Sequence, residues 1–305
     1  MDYWRKSNKV FLSFGIPPTI WLFAFFLGPL FLVWGLSFGE KQGIIRVAIT
    51  GTLENYLRAV QPLYLQIFLK SFWYAGLTTF FCLVISFPVA LAITFVSDRW
   101  KPILLLLIIL PFWTNLLIRT YALIAVLRTN GYLNDLLELI WQSADSGLRI
   151  LGLGDWNLLG ERFHRFELLY NNFAVVYGLV YVHLPFMVLP LYAALDRMDR
   201  SYIEASLDLG ASQWRTFLSV IVPLALPGII SGVIITFIPA LGTYLTPDLL
   251  GGTDSQMIAN VIERQFKSAN DWPFGAALSF LLMYLTFFAL SVRALLTNHD
   301  EKGLA

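Results

Sequence analysis

Six segments of this chain are apolar over the length of a bilayer and almost free of charge: residues 14–38, 71–96, 102–126, 173–195, 218–240 and 274–292. A membrane-spanning helix needs about 20 predominantly apolar residues at 1.5 Å rise each, since backbone groups in hydrocarbon find partners only within their own helix. The pattern predicts an all-α integral membrane protein with six transmembrane helices. Apolar residues make up 57% of the chain and charged residues 13%, about half the charged share of a soluble domain. Residues 1–13 and 293–305 then form short tails around a single transmembrane domain over 14–292. The first apolar run follows Arg5, Lys6 and Lys9, yet it is longer than the roughly 7–15 residues of a secretory signal core and lacks a clear small-residue cleavage site, so an uncleaved anchor is expected.

Orientation follows from Lys and Arg. With the N-terminus inside, the inner segments 1–13, 97–101, 196–217 and 293–305 hold ten basic residues in 53 positions, and the outer segments hold ten in 111. The doubled density, with Arg99 and Lys101 in a five-residue loop, places both termini in the cytoplasm. The outer connections carry amphipathic stretches. Leu133, Leu136, Leu137, Ile140 and Trp141 follow helical spacing opposite Asn134, Asp135 and Glu138, and Met257, Ile258, Val261, Ile262 and Phe266 repeat it. Such helices pack at the interface or over the mouth of a pathway.

Several chemistries are excluded. The chain has no G-x-x-x-x-G-K-[ST] loop and cannot cradle nucleotide phosphates by itself. His164, His183 and His299 are dispersed, no H-E-x-x-H occurs, and the lone Cys82 has no intrachain partner. No catalytic residue, metal ligand set or cofactor site emerges. The spans contain no Asp or Glu, which weighs against an ion-coupled carrier, because such carriers place carboxylates at the midplane. They do contain Pro88, Pro111, Pro185, Pro190, Pro223, Pro227 and Pro239. Each removes a backbone donor, so kinked helices around a pathway are expected beside ordinary membrane kinks.

Between the fourth and fifth spans lies a polar hairpin over 196–217. Ser201-Tyr-Ile-Glu204 has the capping-box pattern, Gly210 suits the left-handed residue that closes a helix, and Ser212 suits the start of another. The spacing predicts helix, tight turn and helix, with Glu204 and Asp208 on one face and Ile203 and Leu207 on another.

Glu204-Ala205, then Gly210-Ala211, and nine residues after the glycine Val220-x-Val-Pro223, resemble the EAA loop of ABC-importer permease subunits. Ser206 replaces the second alanine of the family pattern, and Val220 and Val222 replace Ile and Leu. The chain resembles spermidine/putrescine permeases in particular, at Ile109-Leu-Pro-Phe-Trp-Thr-Asn-Leu-Leu-Ile-Arg-Thr-Tyr-Ala122, Asn130-Gly-Tyr-Leu-Asn134, Leu184-Pro-Phe-Met-Val-Leu-Pro190, Pro247-Asp-Leu-Leu-Gly-Gly252 and Asn270-Asp-Trp-Pro273. The resemblance covers most of residues 17–290. It implies a type I ABC importer permease in the bacterial inner membrane, paired with a second permease subunit. A dimeric ATPase using ATP and Mg would dock below, and an extracytoplasmic binding protein would deliver the polyamine above. Neither nucleic acid nor a cofactor of its own is implied. Ser201, Glu204, Ala205, Asp208, Gly210, Ala211 and Pro223 become the candidate ATPase-coupling residues.

Cargo residues are less defined by pattern. Polyamines are elongated cations that aromatic faces attract by roughly 0.5–2 kcal/mol. Trp113, Tyr121, Tyr181, Tyr244 and Phe237 are candidate pathway walls, with Asp248, Asp254 and Asp271 near the outer mouth, although interfacial aromatic belts account for such residues equally. Arg119 is the one charge inside a span. On a continuous helix it lies about 26 Å up, where it snorkels or forms a gate pair with an outer carboxylate such as Asp248. Direct ligand contact by Arg119 would imply an anionic cargo, and permeases for ferric iron, thiamine or phosphonates stand as alternatives, as does an ion-coupled secondary carrier. His183 is expected to bond between helices.

Overall fold

The computed structural model of the protein describes residues 8–43, 46–150 and 163–302. Residues 1–7 and 303–305 of the expected tails lie outside them. The fold is helical with one β-hairpin. In chain order the helices are α1 (Asn8–Leu22), α2 (Gly28–Leu36), α3 (Glu54–Ala59), α4 (Pro62–Phe95), α5 (Lys101–Ile109), α6 (Leu116–Leu127), α7 (Tyr132–Ile150), α8 (Asn172–Asp196), α9 (Ser201–Asp208), α10 (Gln213–Thr216), α11 (Val222–Gly242), α12 (Leu245–Leu250), α13 (Ile258–Lys267) and α14 (Trp272–Lys302). Strands β1 (Gly39–Gln42) and β2 (Arg46–Ile49) pair antiparallel, with Gly39 opposite Ile49.

Among the described residues, four helical stretches are long and apolar enough to cross a membrane: Leu12–Leu36, Pro62–Phe95, Asn172–Asp196 and Gln213–Gly242. The apolar part of the last helix, Trp272–Phe288, is shorter. The third expected span differs most. Lys101–Trp113 meets Leu116–Gly147 at 95°, so 102–126 is not one rod but a broken span or a re-entrant loop. Local chemistry explains the break. Pro111 enters a 3-10 turn over Leu110–Trp113, Thr114 and Asn115 turn extended, and the Asn115 side chain accepts the Leu117 amide at 2.8 Å to start α6. Asparagine caps a helix better than it continues one. The height expected for Arg119 assumed an unbroken helix and no longer applies.

The other spans absorb their prolines. Pro88, Pro185, Pro190, Pro227 and Pro239 all lie inside continuous helices. Two prolines follow a π turn directly: Gly28 N donates to Phe23 O before Pro29, and Val222 N donates to Phe217 O before Pro223. A proline ring clashes with the carbonyl four residues back, and widening the preceding turn relieves that clash.

The chain divides into two compact units, residues 1–66 with 261–305, and residues 67–260. In the first, α14 packs on α2 and α3. Trp34 Nε1 donates to Tyr284 Oη at 2.8 Å, and Arg58 pairs with Asp271 at 2.9 Å while lying 3.9 Å over the Phe274 ring. Asp271 is therefore already neutralised by its own chain.

In the second unit the dominant packing is α8 against α11. A Cβ at Gly228 would stand 2.5 Å from Ala194 Cβ and 2.8 Å from Pro190 O, and one at Gly232 would stand 2.6 Å from Met187 Sδ. Glycines here let two backbones approach within the membrane, where close packing replaces the hydrophobic effect as the driving force. Cys82, Phe87, Ala90 and Ile93 of α4 join Met187, Leu191 and Leu195 of α8 and Ile221 and Ala225 in one buried cluster. This core holds the ends of the helices that bear the polar hairpin.

Candidate functional site

The hairpin folds as its residues require. Helix α9 ends in a Schellman motif: Gly210 N donates to Leu207 O at 2.9 Å, and Ala211 N donates to Ser206 O at 3.2 Å. Gly210 has φ of +80°, a region that disfavours side chains by about 1–2 kcal/mol. Ser212 Oγ accepts the Arg215 amide at 3.3 Å and starts α10. Ser206 Oγ lies 2.9 Å from Thr216 Oγ1 and joins the two arms.

The N-terminal cap is not the one expected. Ser201 already lies inside the helix, and Asp199 serves instead: its carbonyl accepts from Tyr202 N at 3.3 Å and its Oδ1 accepts from Ser201 N at 3.0 Å. An aspartate cap adds negative charge at the positive end of the helix. The bonds from Ser201 hold the Asp199 carboxyl below its ordinary range.

Glu204, Ala205 and Asp208 are exposed, Ala211 is half-buried, and Pro223 is exposed on the span above. Exposed apolar side chains flank them. Leu209 at the turn is 89% accessible and Trp214 is 69% accessible, although Trp214 stacks on Phe217 at 5.4 Å.

Residues outside the hairpin hold its base. Lys101 Nζ lies 2.9 Å from Asp98 Oδ1 and 2.9 Å from Asp196 Oδ1. Arg200 donates to Thr94 O at 3.1 Å and lies 5.5 Å over the Phe95 ring. Bonds to Asp196 and Asp98 raise the Lys101 ammonium, and Lys101 lowers the Asp98 carboxyl. The raised lysine contributes below its ordinary pKa and loses that contribution as pH rises through the elevated value. The lowered aspartate contributes above its ordinary pKa and loses it as pH falls through the depressed value. Both charges thus persist from about pH 5 to about pH 9. Thermal stability of the purified chain is expected to vary little across this window through these two groups, and Lys101→Met, compared with wild type at about pH 7 and about pH 2, should narrow the gap between those pH values. An equal acid loss in both proteins would show that the Asp98 tie contributes nothing.

The pathway candidates are dispersed along the chain. Trp113 stands at the break, 76% exposed; Tyr121 on α6, Tyr181 on α8 and Tyr244 before α12 are also exposed. Phe237 packs against Phe72 at 5.9 Å. Arg119 Nε and Nη1 are buried without a hydrogen-bond partner, and the guanidinium lies 5.3 Å from the Phe112 ring centre. His183 is buried with Nδ1 2.8 Å from Leu179 O, a bond within its own helix and not between helices.

The amphipathic helices α7 and α13 form where the spacing places them, but Asn134 is not on a solvent face. It is fully buried, and it exchanges two 2.9 Å bonds with the Phe166 backbone. Asp135 and Glu138 instead meet Arg165, at 3.2 and 2.8 Å. Asn134→Leu strands the Phe166 amide and carbonyl, at about 1–3 kcal/mol for each unpaired group. Limited proteolysis should then cut residues 163–171 faster than in wild type, and an unchanged cleavage rate would reject this tie. Among the described residues no cluster of three or more His, Cys, Asp or Glu could hold a metal ion.

A profile of the family described as "Binding-protein-dependent transport system inner membrane component" matches residues 10–301. The spermidine/putrescine transport system permease protein PotB of Escherichia coli K12 is 40% identical over 263 residues, covering 86% of this chain and 88% of that protein. The protein of the same name from Haemophilus influenzae is 38% identical over 271 residues, 88% of each chain. A solved bacterial alginate ABC transporter, in complex with its alginate pentasaccharide-bound periplasmic protein, superposes with a TM-score of 0.65 at 16% identity over 95% of this chain and 96% of that one. The fold is thus shared with an ABC-transporter chain. Matched over nearly its whole length, this multi-pass chain belongs to the binding-protein-dependent transport system inner membrane component family and is a transport subunit, not an enzyme.

Proposed function

We propose that the protein is a permease subunit of an ATP-driven importer for polyamines such as spermidine and putrescine. The observation that carries the mechanism is the exposed hairpin of α9 and α10, continuous with the 30-residue helical stretch Gln213–Gly242. A chain without a phosphate loop must receive the energy of ATP through contact. A hairpin rigidly joined to a span converts closure of a partner ATPase into movement of that span. The cargo assignment rests on the likeness to PotB over most of the chain.

In this reading the chain crosses the inner membrane six times with both termini in the cytoplasm, the broken Lys101–Gly147 segment and α14 supplying the third and sixth crossings. A second permease subunit completes the pathway, a dimeric ATPase binds ATP and Mg and docks on α9, and a binding protein delivers cargo outside. Trp113, Tyr121, Tyr181 and Tyr244 present aromatic faces for an ammonium group, each contributing roughly 0.5–2 kcal/mol. Arg119, held over Phe112, sets a positive charge near the broken span.

The test is uptake of labelled spermidine into proteoliposomes holding the four-subunit complex and the loaded binding protein. Uptake should require ATP, stop with vanadate and be competed by putrescine. Glu204→Lys should leave the permease folded and lower uptake by about tenfold, within the 1–3 kcal/mol usual for coupling between sites. Uptake driven by an ion gradient without ATP, or ATP-driven complexes that ignore polyamines, would overturn the assignment.

A further inference from the structure

The hairpin is fastened to more than the fifth span. None of the residues of α9 is buried; Ile203 rests against the buried core, and a groove of about 850 Å³ lined by Leu91, Phe95, Ile203, Leu207, Trp214 and Phe217 runs behind the helix. Two cations add polar ties to that apolar contact. Lys101, at the first turn of α5 and with its side chain only 15% exposed, touches Asp98 in the loop after α4 and Asp196 at the last residue of α8, each at 2.9 Å. Arg200, one residue before α9, reaches Thr94 O, one of the terminal carbonyls that a helix leaves without an internal partner, and covers the Phe95 ring. The segment 196–200 is thereby strapped to the cytoplasmic ends of α4 and α5.

We infer that Lys101 and Arg200 are positioning residues that fasten the entry of the docking helix to the second and third spans, so that displacement of α9 moves α4 and α5 together with α11. The inference rests on the ATPase-docking role proposed above. It differs from a lever acting through the apolar core alone, since there the response of the second span would not depend on Lys101. The geometry favours a strap: three contacts cross between elements far apart in sequence, and Asp199 fixes the direction in which α9 leaves it. A buried or bridging lysine between two carboxylates also tolerates inversion of all three charges, which provides a clean rescue.

The experiment uses the complete complex with Ala92→Cys, an exposed position near the inner end of α4; native Cys82 is buried and contributes little background. Maleimide labelling is compared without nucleotide and after trapping with ATP and vanadate, so the readout does not depend on the cargo. Trapping should change the labelling rate by about fivefold in the otherwise wild-type chain, Lys101→Glu should remove most of that change, and the inverted set Asp98→Lys, Lys101→Glu, Asp196→Lys should restore it. A Lys101→Glu complex that responds like the parent overturns the inference. So does a response lost equally in the single and inverted variants, or one absent from the parent. A strap that behaves as expected in a complex that does not import spermidine would leave the inference standing and remove only the cargo assignment.

Discussion

Gly210→Val is expected to lower ATP-driven uptake by tenfold or more while the chain still inserts and assembles with its partners. The reason is backbone geometry: Gly210 has φ of +80°, where a β-branched residue is an outlier. The space around the missing Cβ is open, so no clash contributes and the strain lies wholly in the turn. Gly210→Asn provides the control, because asparagine enters the left-handed region at small cost. It should keep most of the uptake. Equal losses for Asn and Val would mean that the docking partner touches this position, and equal retention would mean that the turn angle is not transmitted. Uptake and ATPase rate are measured together, since a bent lever separates them whereas an unfolded one lowers both.

Gly228→Leu should fail at an earlier step, with little monodisperse protein recovered from detergent. A Cβ at this position meets Ala194 Cβ at 2.5 Å and Pro190 O at 2.8 Å. Backbone cannot move aside as a flexible side chain can, and overpacking costs about 1–3 kcal/mol even where side chains relax. Gly228→Ala should already lower the melting temperature. Gly242→Ala, at a site with nothing within 4 Å of its Cβ, should not. If both alanine variants melted alike, the close approach of α8 and α11 would not be limiting.

The hairpin was legible because its determinants are local. A left-handed glycine, the serine that caps α10 and the alternating faces all act within a few residues, so Glu204, Gly210 and Ser212 could be placed from their spacing. The cap at Ser201 was misplaced for an equally local reason: two oxygen-bearing side chains, Asp199 and Ser201, compete for one helix start, and the charged one also benefits from the helix dipole. Asn134 was read as solvent-facing since helical spacing identifies faces but not what covers them. The covering strand of backbone at Phe166 lies 32 residues away.

Hydropathy along the chain was sufficient to determine a helical membrane protein, since the cost of bare backbone in lipid leaves a long apolar segment almost no alternative to helix. The absence of a phosphate loop likewise determined that the chain cannot cradle nucleotide phosphates by itself. Tertiary structure alone decided that the segment 102–126 bends by 95° after Pro111, that Arg119 rests on Phe112, and that Lys101 joins Asp98 to Asp196. Those outcomes depend on which of several chemically equivalent partners comes within about 3 Å. That distance is set by how whole helices pack, and no window of sequence contains it.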